Sequence, residues 1–205
     1  MPHPLHSPAA DRNKAPILDV LLRVLPHQGH ALEIASGTGQ HITWFARSTP
    51  GWTWQPTDAD DNSLDSISAY IDDSNATNVL APVMLDVTAS TWPSQGPAFT
   101  TPFEAIYCAN MIHIAPWSTC IGLMQGAARH LSARGVLITY GPYLESDVDT
   151  SPGNIEFDLG LRERNADWAL RHLDDVKAEA LRHGLALRER HAMPANNLLL
   201  VFARN

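Results

Sequence analysis

Residues 31–39 read Ala31-Leu32-Glu33-Ile34-Ala35-Ser36-Gly37-Thr38-Gly39. A short apolar strand carrying one acid runs into a glycine turn, and a helix is predicted from Gln40. Glycines let a backbone approach a ligand closely, and a helix N-terminus offers free N–H groups. This is how an α/β sheet builds a nucleotide-type cofactor site. A dinucleotide fingerprint needs a third glycine five residues after the first, where helix packs on strand. That position is Ile42. A carboxylate at Glu33 is also a poor neighbour for a pyrophosphate and suits a ligand with a positive charge.

Outward from this turn, strands and helices alternate. Residues 11–25 place Ile17, Leu18, Leu21, Leu22 and Leu25 on one helical face, and Pro26 ends that helix. Strands are predicted over 31–35, 53–57, 83–85, 103–109 and 136–140, with helices over 40–48, 63–72 and 117–131 between them. A turn at Arg134-Gly135 precedes the fifth strand. A helix over 174–183 stops at Gly184, and strands 185–191 and 197–203 follow, joined by a turn at Met193-Pro194-Ala195. The pattern predicts an α/β, doubly wound, mostly parallel seven-stranded sheet. The last two strands are joined too tightly for a crossover, so they are expected to form an antiparallel hairpin. Residues 142–173 break the rhythm as a long excursion, and loops of that length are often lids. The chain is read as a single domain, 1–205, with 1–25 as an N-terminal arm and helix.

The 205 residues are 44% apolar and 18% charged, the balance of an ordinary globule. No apolar run approaches the roughly 20 residues that span a bilayer. The N-terminus shows neither a basic nor an apolar leader region, so a cytoplasmic protein is expected. A net charge of -8 and the absence of a Lys/Arg cluster argue against a nucleic-acid partner. Cys108 and Cys120 fit no zinc or redox spacing and are expected as buried thiols. His3/His6 and His27/His30 lie in Pro/Gly-rich loops without nearby acids, so no metal is expected.

Ligands in an open parallel sheet bind beyond the C-terminal strand ends. Those ends carry Glu33 and the glycine turn, Asp58, Asp86, Asn110 with His113, and Tyr140 with Tyr143. Solvated loop charges alone explain such a recurrence poorly.

In this order, the residues resemble a known superfamily. Glu33-Ile34-Ala35-Ser36-Gly37-Thr38-Gly39 is similar to motif I of the class I S-adenosylmethionine-dependent methyltransferases. Phe103 to Asn110 resembles their motif IV, and the terminal hairpin resembles their fold signature. Ser7 to Lys14, Glu33 to His41, Asn110-Met111-Ile112-His113-Ile114-Ala115-Pro116-Trp117, Thr150-Ser151-Pro152 and Met193 to Asn197 together resemble a methyltransferase-like family long filed as a domain of unknown function. The resemblance implies a Rossmann-like methyltransferase fold, S-adenosyl-L-methionine as cofactor and in-line methyl transfer to a small-molecule acceptor. Ala35 stands where the superfamily has its first glycine, which is tolerable if its φ is negative.

The resemblance also implies roles. Glu33, Ala35, Gly37 and Gly39 meet the methionine end of the cofactor, Asp58 the ribose hydroxyls, Asp86 and Val87 the adenine, and Asn110 the cofactor at strand four. Arg12 and Asn13 either cover the cofactor carboxylate or cap a helix. His113 is the candidate base, or a packed histidine holding a loop. Tyr140 and Tyr143 line the acceptor pocket or pack the loop. Asn154, Asp158 and Arg162 share a helical face that meets substrate or solvent. Asn196 and Asn197 read as turn amides. A tRNA or protein methyltransferase, a non-catalytic cofactor-binding partner protein and an NAD-dependent reductase are the alternatives. Asn110-Met111-Ile112-His113 lacks the Asn/Asp-Pro-Pro-aromatic sequence of base-amine methylation, and Ile42 disfavours the reductase.

Overall fold

Seven strands and six helices fill residues 4–205, which the computed structural model describes. His3 therefore lies outside the described residues. Helix α1 (Pro8–Val24) opens with Ser7 Oγ accepting the Ala10 N–H at 3.3 Å, and Pro8 sits where no N–H is needed. It ends ahead of Pro26, with Leu25 already extended. Its inward face is Ile17, Leu18, Val20 and Leu21. Leu22, expected on that face, is 54% exposed. The face is centred on Ile17 and Leu21, and one further residue turns the chain by about 100° toward solvent.

Strands β1 (Gly29–Ile34), β2 (Trp52–Asp58) and β3 (Val83–Met84) alternate with helices α2 (Gln40–Ser48) and α3 (Asp61–Ser74). Strand β4 (Phe103–Ala109), helix α4 (Trp117–His130) and strand β5 (Leu131–Gly141) follow. Helices α5 (Pro152–Arg164) and α6 (Leu173–Arg182) lead to β6 (Leu185–Met193) and β7 (Asn197–Arg204). The sheet order is β3-β2-β1-β4-β5-β7-β6. Neighbours from β3 to β5 are parallel, whereas β7 runs antiparallel to both β5 and β6. This is the α/β, Rossmann-like methyltransferase fold with its antiparallel C-terminal strands. Chain order reverses between β1 and β4, which is where such sheets open a ligand crevice.

Alternation along β1 sorts the two layers. Ala31 joins Ile17, Leu21, Ile42, Phe45 and Ile67 beneath α1, α2 and α3. Leu32 and Ile34 join Leu123, Met124 and Val176 beneath α4 and α6. Cys108 and Cys120 are free and buried.

Two expectations need correction. The 142–173 excursion contains the thirteen-residue helix α5, begun by Ser151 Oγ accepting the Asn154 N–H at 3.3 Å and by Pro152 in its first turn. The Arg134-Gly135 turn is instead a bulge inside β5, where pairing jumps from Phe103↔Leu131 to Ala105↔Val136. A Cβ at Gly135 would stand 2.7 Å from the Phe103 carbonyl oxygen, so the two backbones meet too closely for any side chain.

Candidate active site

At the end of β1 the chain turns sharply so that the Ser36 N–H donates to the Thr57 carbonyl of β2 at 2.8 Å. The turn forces Ala35 to a φ of +53, not the negative value expected. Left-handed backbone costs an L-residue about 1–2 kcal/mol. Ala35→Gly relieves this but frees the unfolded chain, so a net gain of up to about 1 kcal/mol is expected. Urea unfolding measures it, and a loss of stability would mean the turn carries no strain.

Gly37 and Gly39 also have positive φ, +58 and +91, for different reasons. A Cβ on Gly37 would find only the Ala35 carbonyl, 4.0 Å away, so that face of the turn is open. A Cβ on Gly39 would stand 2.9 Å from Ile67 Cα, so this glycine lets α3 press against the turn. Asp58 braces the turn from β2. Its Oδ2 accepts the Gly37 N–H at 2.8 Å and its Oδ1 the Asp60 N–H at 3.1 Å. Burial raises its pKa, against the pull of those N–H groups.

Glu33 is 2% exposed, and its Oε2 has no hydrogen-bond partner. Burial, with a smaller push from Asp58, raises its pKa to about 8, although a Ser36 hydrogen bond pulls the other way. Glu33 pairs in register with Tyr107 of β4, whose hydroxyl is likewise buried without a partner. Sequence reasoning passed over Tyr107; only its register against Glu33 could have marked it. An unpaired carboxylate in a low-dielectric site favours a cationic group.

The N-terminal arm closes over this region. Ser7 N–H donates to Gln40 Oε1 at 2.6 Å, and Asn13 Oδ1 meets His41 Nε2 at 2.6 Å. These contacts bring together two sequence segments that lie far apart in the chain. Burial, then Lys14, lowers the His41 pKa to about 4, so its imidazole is neutral near pH 7.

A cleft of about 570 Å³ opens between α1, the ends of β4 and β5, α5 and the turn between β6 and β7; Glu33, the glycine turn and Asp58 are not among its walls. Its walls include Arg12, Asn13, Asn110, Tyr140 and Asn154, five of the residues expected at the site, and also Asn197. Ile114, Phe157 and Arg164 line it too and carried no sequence signal beyond their types. Asn110 sits at φ +60, its N–H donating to the Tyr140 carbonyl at 2.7 Å.

Other expected residues stand apart from the cleft. His113 is fully buried, and its Nδ1 accepts the Arg171 N–H at 3.3 Å. Its ring lies 4.9 Å from that of Tyr143, and a Cβ on Gly141 would stand 2.5 Å from its Nε2. Burial, then Arg171, lowers its pKa to about 3. The Tyr143 hydroxyl donates to Thr139 Oγ1 at 2.7 Å in the core. Asp158 accepts the Leu170 N–H at 2.7 Å and pairs with Arg162 at 2.9 Å. His113 and Asp158 thus hold the segment that returns from α5, and Tyr143 packs against the His113 ring. Asp86 is exposed, its Oδ1 accepting from the Thr88 N–H and hydroxyl at 2.8 and 2.7 Å. Val87 is buried, with its carbonyl against Gly122, where a Cβ would approach to 2.5 Å. Asn196 Oδ1 accepts the Ser151 N–H at 2.9 Å, and Asn154 Nδ2 donates to the Asn196 carbonyl at 2.9 Å. The hairpin turn is thereby tied to the start of α5. Among the described residues, no three His, Cys, Asp or Glu side chains converge as a metal site. No described helix is long and apolar enough to cross a membrane.

The family described as a protein of unknown function, DUF938, matches residues 5–204. The chain belongs to the DUF938 family. The DUF938 chain is similar in structure to CalO1, a methyltransferase in calicheamicin biosynthesis solved with S-adenosylhomocysteine bound. The TM-score is 0.74 at 14% identity, covering 96% of this chain and 55% of CalO1. An O-methyltransferase family protein from Burkholderia thailandensis gives 0.77 at 17%, covering 96% and 57%. The mitomycin 7-O-methyltransferase MmcR gives 0.77 at 12%, covering 96% and 55%. The DUF938 chain thus spans little more than half the length of these proteins, and at such identities the likeness is one of fold.

Proposed function

We propose that this chain is an S-adenosylmethionine-dependent methyltransferase acting on a small molecule. The observation that carries the reading is the buried, unpartnered Glu33 oxygen on the strand that leads into the turn, together with the open face of Gly37. An unpaired carboxylate and an open glycine turn fit a ligand with an ammonium on a short chain. The solved relatives support the same reading, since one was captured with S-adenosylhomocysteine.

Glu33 takes the ammonium, while the backbone of Ala35, Gly37 and Gly39 shapes the turn around it. Asp58 accepts from the ribose hydroxyls with the lone pairs its two N–H partners leave free. The Asp86 oxygen not engaged by Thr88 and the Val87 N–H meet the adenine. Arg12 and Asn13 cover the cofactor carboxylate, and Asn110 separates cofactor from acceptor. The bound cofactor supplies an already activated methyl group, so the protein's task is alignment and exclusion of water. Tyr140 and Asn154 orient the acceptor in the cleft, and residues 142–173 form its lid, held to the hairpin by Asn196. His113, Tyr143 and Asp158 position that lid and do not touch the reacting atoms.

Calorimetry with S-adenosylhomocysteine tests the reading, and no detectable heat at millimolar ligand would sink it. Asp58→Ala is expected to weaken binding by at least about tenfold, the worth of one charge-assisted hydrogen bond. Unchanged affinity would remove Asp58 from the ribose.

A further inference from the structure

The cleft's side chains have a one-sided chemistry. Its polar lining consists of two arginines, four asparagines and Tyr140, with no carboxylate and no imidazole. The chain as a whole carries 22 acidic residues against 14 basic ones, so a cleft free of acid stands out against its surroundings. Arg12 and Arg164 form no ion pair among the described residues, whereas Arg162, two residues earlier on α5, is held by Asp158. Arg164 Nε donates to the Gly160 carbonyl at 3.1 Å, and its guanidinium stands over the Trp168 ring at 5.7 Å. This fixes the stem and leaves the terminal N–H groups for a ligand. The apolar walls include Phe157 and Ile114, which are 37% and 41% exposed, and Pro16 and Pro142. Large apolar side chains left in a cleft mark a surface meant to be covered.

The absence of a base is the second constraint. Tyr140 is the cleft's one titratable side chain apart from the arginines, and its pKa is raised by burial. Nothing in the lining removes a proton from an acceptor near neutral pH.

Resting on the proposed methyl transfer, we infer that the acceptor is a small apolar organic acid that arrives as its anion, with Arg164 as its charge partner. The acceptor's anionic oxygen forms the new bond to the methyl carbon. The carbon–sulfur bond breaks with its electron pair remaining on sulfur, and no proton is released. The products are a neutral methyl ester and a neutral thioether, so charge balances without a base. Pairing with Arg164 also orients the acid, since a guanidinium binds a carboxylate in a fixed plane.

The test uses the full chain and a matched pair of probes, 2-naphthoate and 2-naphthamide, titrated in the presence and absence of saturating S-adenosylhomocysteine. In its presence, naphthoate is expected to bind at least about tenfold more tightly than naphthamide, as a charge-assisted pair requires. Arg164→Gln is expected to erase most of that gap while leaving naphthamide and S-adenosylhomocysteine affinities unchanged. Equal affinity for the two probes, or a gap that survives Arg164→Gln, would overturn the inference. If S-adenosylhomocysteine binds and naphthoate is not preferred, only this inference falls. If S-adenosylhomocysteine does not bind at all, the methyltransferase reading falls and the acceptor assignment falls with it.

Discussion

Glu33→Gln is expected to lower affinity for S-adenosylhomocysteine about a hundredfold at pH 7.5, the cost of removing the charged partner of a buried ammonium. The pH profile gives the sharper test. Glu33 has its pKa raised from 4.5 to about 8, chiefly by burial, so the free folded protein holds a proton there at pH 7. A ligand ammonium must displace that proton. Affinity is therefore expected to climb with pH by up to about tenfold per unit below pH 8, then level off once Glu33 is already ionised in the free protein. Buffers of differing ionisation enthalpy will register the released proton as heat. In Glu33→Gln both the slope and the proton release disappear. The same shift acts on folding. A raised carboxyl pKa contributes stability that is full below about pH 4.5 and is lost as pH rises through about 8. Wild-type stability should thus decline across this window more steeply than that of Glu33→Gln. Equal binding profiles for the two proteins would place the ammonium elsewhere.

Gly39→Ala and Gly37→Ala are expected to fail in opposite ways. At Gly39 the new Cβ meets Ile67 Cα at 2.9 Å, a backbone atom of α3 that cannot swing aside. Overpacking of about 1–3 kcal/mol and a left-handed penalty of about 1–2 kcal/mol together suggest a loss of roughly 3 kcal/mol of stability. At Gly37 the φ of +58 is the only cost, roughly 1 kcal/mol, because the nearest atom is 4.0 Å away. Yet the open space at Gly37 is the space proposed for the cofactor, so its Cβ should remove most binding from a protein that remains folded. Urea unfolding and calorimetry on both variants read the two effects. A folded Gly37→Ala that binds normally would show that the ligand does not lie against that face.

The sheet was legible because its strands announce themselves twice, by apolar runs and by the polar residue at each C-terminal end. Helix α2 and strand β4 were predicted at their observed limits, since the glycine turn and the apolar run of 103–109 leave little freedom of boundary. The helix α5 was legible only in the helical spacing of Asn154, Asp158 and Arg162, and its apolar residues gave no such signal. Ile155, Phe157, Leu159 and Leu161 alternate with period two, a strand-like pattern, and only Leu161 of these is buried. Its shape comes from the Ser151 cap, Pro152 and the pull of Asn196, none of which an apolar count detects. Within the candidate site, one-dimensional order assigned residues to strand ends correctly but not to directions. His113 and Tyr140 both lie near strand ends. One ring lies against Gly141 and the other lines the cleft: His113 follows the left-handed turn at Asn110, whereas Tyr140 belongs to β5. Ala35 misled because a small residue suggests an easy backbone, whereas the reach of Ser36 to Thr57 dictates its φ.

The cleft is lined by residues numbered from 9 to 197, with α1 on one side and the turn between β6 and β7 on another. Strands β1, β2, β4 and β5, by contrast, pair among residues 29–140. A chain still being synthesised can therefore hold the centre of its sheet before it has this cleft. The ability to bind an acceptor would then arrive last, when the two ends of the polypeptide dock, and would report on completed folding rather than on the presence of the sheet.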